Sequence, residues 1–140
     1  MPEHFQLRLF YCHSFLLQAI ELDSCKLLNI KVGRVGGLFQ ATRLNTLAQK
    51  ANIPAWIGGM FETPLGFMAN AALGSGKNFS YPIDFFGGPT YIKDFERLFA
   101  TLPYQVKQDT LHLSFTQTSL GDVLDWELLQ QYIVQEIELR

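Results

Sequence analysis

Between Leu28 and Gly37 an apolar run ends in a single lysine, Lys31, and passes at once into a glycine-rich turn through Gly33, Gly36 and Gly37. Alternation along a strand puts Asn29 and Lys31 on one face and Leu28 and Ile30 on the other. The spacing predicts a helix over Leu38–Lys50, with Leu38, Ala41, Leu44, Leu47 and Ala48 along its buried stripe. Lys31 therefore stands at the carboxyl end of a strand, before a βα turn, where α/β folds carry their chemistry. Twenty-seven residues on, Pro54–Ile57 runs into Gly58-Gly59-Met60-Phe61-Glu62, and a further twenty-six bring Phe79–Ile83 to Asp84. Strand ends at nearly equal steps predict consecutive βα units. The step matches the roughly 30 residues per unit of an eight-unit (β/α) barrel. The fold class expected is α/β: a partial TIM-like barrel of about the last three βα units, with Lys31, Gly58 and Asp84 at one end of neighbouring parallel strands.

Other elements follow the same rules. Leu16–Leu22 reads as the tail of a helix, and Pro64 or Leu65 to Leu73 as another, stopped by Gly74-Ser75-Gly76. A short helix is predicted over Tyr91–Phe99. Tyr104–Lys107 and Leu111–Phe115 read as a hairpin with a three-residue connection. The last helix, from about Asp125 to Leu139, would bury Leu128, Leu129, Tyr132, Ile133 and Ile137, with Asp125 as its N-cap.

A 140-residue chain is one domain's worth at most, yet 48% of it is hydrophobic and only 17% charged, against about 25% charged in an average soluble domain. Small domains expose much of their surface, so this composition suits a piece of a larger fold. The net charge of −2 and pI of 5.9, with basic residues scattered singly, argue against nucleic acid as a partner. Cys12 and Cys25 fit no metal or disulfide spacing and read as reduced thiols. No secretory leader or membrane-spanning run is read, so a cytoplasmic location and no membrane partner are expected.

The motifs K-x-G-R-x-G-G at Lys31–Gly37 and G-G-M-x-E at Gly58–Glu62 together resemble the sixth and seventh strands of an enolase-superfamily barrel. The likeness is to the o-succinylbenzoate synthase and N-acylamino acid racemase branch, and it runs from about Leu16 to Glu138. It implies residues 1–15 as a diverged N-terminal segment and residues 16–140 as the C-terminal part of the barrel domain, with the hairpin and last helix lying past the barrel. It also implies a magnesium-dependent lyase, giving 2-succinylbenzoate for menaquinone biosynthesis, or a racemase, acting on a small carboxylate substrate.

Lys31 would then be a catalytic lysine working at the carbon beside a carboxylate. The alternative for it is a solvated lysine at a strand end. Gly58, Gly59, Met60 and Asp84 would line the substrate pocket; a chain-turning bulge is the alternative for the glycines. Gly36-Gly37 read either as an anion nest or as no more than a tight turn. Glu62 has no derivable role, and His4, His13 and His112 are isolated.

The departures are specific. Phe67 stands where the family often has arginine, and Ile83 and Phe85-Phe86 replace small polar neighbours of Asp84. The family's last metal-binding carboxylate should fall near Gln6–Phe10, which contains no acid. The other two ligands and the first lysine would precede Met1. Mg2+ is therefore expected in the family but not held by this chain alone. Three readings follow in order: a C-terminal fragment inactive alone, half of a split enzyme completed by a separate N-terminal chain, and a non-catalytic anion-binding module.

Overall fold

A computed structural model describes residues 6–7, 13–60, 62–84, 95–99, 104–114 and 120–132. They fall into two compact units, the first drawn from Met1–Phe61 and Ala69–Phe85, the second from Glu62–Met68 and Phe86–Arg140.

The first unit is α/β. Its strands are β1 (Gln6–Leu7), β2 (Leu27–Ile30) and β3 (Ala55–Ile57), separated by helices α1 (His13–Glu21), α2 (Val32–Val35) and α3 (Leu38–Lys50). The strands are parallel in the order β1-β2-β3, with Gln6 opposite Leu27, Leu28 opposite Ala55 and Ile30 opposite Ile57. Leu28, Ile30, Ala55 and Ile57 alternate onto one face and share a core with Leu16 and Ala19 of α1 and Ala41, Leu44 and Ala48 of α3. A parallel sheet needs this helical cover on its faces.

The returns from α1 to β2 and from α3 to β3 are made by the same device. At the end of α1 the amide of Ser24 donates to Ala19 and that of Asp23 to Ile20; at the end of α3 Ile53 donates to Ala48 and Asn52 to Gln49. Both are Schellman closures, with Asp23 (φ 49°) and Asn52 (φ 56°) in the left-handed position where glycine is usual. Asn78 (φ 74°) repeats the conformation before the third return, and its side chain donates to Asn45 Oδ1 and the Ile53 carbonyl, both at 3.0 Å.

Helix α4 (Pro64–Gly74) begins in the second unit's residues and ends in the first's. The second unit also holds a 3-10 turn at Phe95–Leu98, the hairpin β4 (Tyr104–Lys107) and β5 (Thr110–Leu113), a 3-10 turn at Leu120–Val123 and α5 (Trp126–Gln130). Phe67 and Phe99 pack edge-on against the ring of Tyr104, at 5.4 and 6.2 Å between centroids. Asp125 caps α5, accepting from the Leu128 amide at 2.9 Å.

Several expectations are corrected. The strand read at Phe79–Ile83 is a single parallel bridge, Phe79 to Ala55, although Ser80 and Asp84 donate to Ala55 and Ile57 of β3. Pro82 has no amide to continue the ladder, so the next donor along, Asp84, takes the Ile57 carbonyl. The glycine-rich segment after Lys31 contains a one-turn helix, α2, because Val32 and Val35 both reach the core. Leu38 is 41% exposed rather than part of the buried stripe. With half-buried Leu47 it lines a groove of about 510 Å³ beside His13, Phe39 and Arg43.

The hairpin loop has two residues rather than three. Gln108 and Asp109 both take positive φ, the twist that suits a two-residue connection, and Thr110 pairs with Lys107. Only the Phe95–Leu98 turn stands within the helix predicted over Tyr91–Phe99; 91–94 lie outside the described residues. Helix α5 ends at Gln130 with Tyr132 exposed, and Ile133 and Ile137 lie outside the described residues.

Candidate functional site

Lys31 follows the last residue of β2 with extended backbone (φ −106°, ψ 104°). Its carbonyl accepts from the amides of Arg34 at 2.9 Å and Val35 at 3.2 Å, the opening bonds of α2. A strand on one side and a helical turn on the other thus fix its backbone. The half-buried side chain runs along the strand ends, and Nζ donates to the Gly59 carbonyl at 2.6 Å.

The Gly58-Gly59 turn is tied on both sides. The Gly58 amide donates to Ile30 O at 2.9 Å, drawing the end of β3 to the end of β2. The Gly59 amide donates to Asp84 Oδ2 at 3.2 Å, while the amide of Asp84 donates to Ile57 at 3.0 Å. Met60 follows, 38% exposed, with Sδ 3.8 Å from where a Cβ on Gly33 would stand. Lys31, Gly58, Gly59, Met60 and Asp84 therefore converge at the carboxyl ends of β2 and β3. Glu62 belongs to the second unit.

Sequence reasoning passed over Asn29 and Trp56, which face each other across the β2–β3 ladder on the side away from the helical core. Asn29 is 7% exposed, and the buried atoms Asn29 Oδ1 and Trp56 Nε1 find no hydrogen-bond partner among the described residues. A buried polar atom without a partner is costly. The signal was available: an asparagine between two leucine-like neighbours in a parallel strand, two residues before the lysine.

The glycines at 36 and 37 do not form an anion nest. Both take positive φ (91° and 101°), and both amides are spent on the carbonyl of Val32. They close α2 and aim the chain into α3.

The described residues also do not fit a divalent-cation site. No three His, Cys, Asp or Glu side chains among them gather to hold an ion, and Asp84 already accepts from Gly59. What the junction offers is a half-buried ammonium bonded to bare backbone at the strand ends.

A profile of the family described as enolase C-terminal domain-like matches residues 10–121. The chain belongs to that family. Among its relatives is the o-succinylbenzoate synthase of Bacillus subtilis, 31% identical over 118 residues, which are 84% of this chain and 31% of that protein. The N-succinylamino acid racemase of an Amycolatopsis species is 48% identical over 66 residues, 47% of this chain and 18% of the racemase. A solved enolase-superfamily member from Listeria innocua superposes with a TM-score of 0.67 at 28% identity, covering 87% of this chain and 32% of the other. The chain spans less than a third of the length of each of these relatives. All five candidate residues fall within the stretch matched to the enolase family, and α5 lies beyond it. Among the described residues no helix is long and apolar enough to cross a membrane.

Proposed function

We propose that this chain supplies the lysine-bearing strands of a barrel enzyme of the o-succinylbenzoate synthase and N-acylamino acid racemase type. It turns over substrate only when another polypeptide completes the barrel and its metal site. The observation that carries the reading is the Lys31–Gly59 junction, a lysine at one parallel strand's carboxyl end bonded to bare backbone at the next. Residues 16–140 are then the C-terminal part of the barrel domain, its last three βα units followed by the hairpin and α5. The unpartnered polar atoms of Asn29 and Trp56 fit a face meant to meet further strands.

In the completed barrel Lys31 moves the proton at the carbon next to a carboxylate of the small substrate, and Gly58, Gly59, Met60 and Asp84 line the pocket. Mg2+ would be held by residues of the completing polypeptide. The described residues provide no cage for it, so proton transfer at Lys31 is the chemistry this chain contributes. The test is to assay the purified chain with Mg2+, alone and mixed with the amino-terminal remainder of the Bacillus subtilis relative. Dehydration and N-acylamino acid racemisation are both followed. Activity is expected only in the mixture; turnover by the chain alone overturns the reading.

A further inference from the structure

The Gly59 residue joins two side chains that do not otherwise meet in the hydrogen-bond pattern. Its carbonyl accepts from Lys31 Nζ at 2.6 Å and its amide donates to Asp84 Oδ2 at 3.2 Å. These groups lie on the two peptide planes flanking one Cα. Gly59 has no side chain to hold it, so its place rests on bonds of the neighbouring peptides: the Gly58 amide to Ile30 O at 2.9 Å and the Gly59 amide to Asp84. The carbonyl moves with the Gly59 Cα, whose position depends on what holds the peptide plane before it. That plane is held by the bond from the Gly59 amide to the Asp84 carboxylate. The carboxylate is itself anchored, since the Asp84 amide donates to Ile57 at 3.0 Å. The fit is close: a Cβ on Gly59 would lie 3.2 Å from the Asp84 carbonyl oxygen and 3.4 Å from Oδ2.

We infer that Asp84 is a positioning residue for Lys31: by holding the Gly59 peptide it aims the carbonyl that orients the lysine ammonium. The assignment rests on the reading of Lys31 as the acid/base group. It adds to Asp84 a role that substrate contact does not require, and that a neutral hydrogen-bond acceptor of the same shape can fill.

The test reads the lysine directly, without turnover, so it can stand or fall apart from the proposed activity. The purified chain and its Asp84→Asn, Asp84→Ala and Asp84→Ser variants are treated with a limiting amine-acylating reagent, and the rate at each lysine is measured by peptide mass spectrometry. Amide hydrogen exchange at Gly59 is followed in parallel. Asparagine keeps an acceptor for the Gly59 amide, so Asp84→Asn should retain the parent's rate at Lys31 and its Gly59 protection. Alanine has no acceptor and the serine hydroxyl is one bond too short, so both variants should label faster at Lys31 and exchange faster at Gly59. Lys26, Lys50 and Lys77 should be unchanged in all of them. If Asp84→Ala loses the exchange protection of Leu28–Ile30 and so fails to fold, the Asn and Ser variants carry the comparison. An unchanged Lys31 rate in the folded Ala or Ser variants overturns the inference, as does an Asn variant that behaves like them.

Discussion

Asn29 and Gly58 approach so closely across the ends of β2 and β3 that a side chain has no room at position 58. A Cβ there would overlap Asn29 Oδ1 and stand 2.9 Å from Nδ2. Gly58 is not among the glycines at positive φ, so the requirement is steric rather than conformational. Gly58→Ala should cost about 1–3 kcal/mol, the usual range for overpacking a tight site. Asn29→Ala in the same chain should recover part of that loss, because the alanine methyl then occupies the space the amide has left. Urea denaturation of the two single variants and the double variant measures the coupling; strictly additive losses would show that the contact is not what excludes a side chain.

This contact shows what could and could not be read from sequence. The helix over Leu38–Lys50 and the ends of β2 and β3 were legible, because apolar periodicity and glycine punctuation are local signals. The convergence of Lys31, Gly59 and Asp84 was legible as far as the strand ends; the bonds among them depend on how the Gly58-Gly59 turn crosses between β2 and the segment after Phe79. Asp23, Asn52 and Asn78 recur at the strand approaches with positive φ, a repeat visible in the residues yet readable only once the Schellman closures are seen. Leu38 departs from its expected burial, while nothing in the sequence set how deeply Asn29 lies. Burial of a mid-strand asparagine, and exposure of a leucine at the first position of α3, depend on neighbours distant in the chain.

Leu38 and Leu44 of α3 provide a contrast. Leu44 is 2% exposed in the core beneath β2 and β3, whereas Leu38 lines the outer groove at 41%. Leu44→Ala should lower stability by about 2–5 kcal/mol, the range for a leucine cavity in a packed core. Leu38→Ala should stay within about 1 kcal/mol, since much of that side chain is already in water. Chemical denaturation followed by circular dichroism distinguishes them; equal losses would mean that the core extends to the groove.

Burial pushes the Cys25 thiol above its ordinary value, with the Leu27 backbone and the Lys26 charge offsetting only part of the effect. The sign follows from linkage. With the folded value raised, the unfolded chain releases its proton first as pH rises, so the folded state loses stability through that window. The contribution is complete below the ordinary thiol value of about 8.5 and declines above it. The denaturation midpoint of the parent chain should therefore fall more steeply above about pH 8.5 than that of Cys25→Ala. Parallel curves for the two would remove burial of this thiol as the cause.

Lys31→Arg separates the two capacities of Lys31, donating to Gly59 and exchanging a proton. Arginine is long enough and has donors enough to reach the same carbonyl, but it stays protonated at any working pH. A purely structural lysine would tolerate the change, because the tie between the ends of β2 and β3 would survive. An acid/base lysine would not, because a guanidinium cannot accept the substrate's proton. In the mixture with the amino-terminal remainder of the Bacillus subtilis relative, Lys31→Arg should keep the association and the exchange protection of Gly59. Its kcat should fall by about 10²–10⁴-fold, the usual contribution of a general acid or base, with KM little changed. Lys31→Ala should lose kcat to the same degree, while the Gly59 amide, bonded to Asp84, keeps its protection. An arginine variant that turned over at the parent rate would leave Lys31 as a strap across the strand ends, with the proton passing elsewhere.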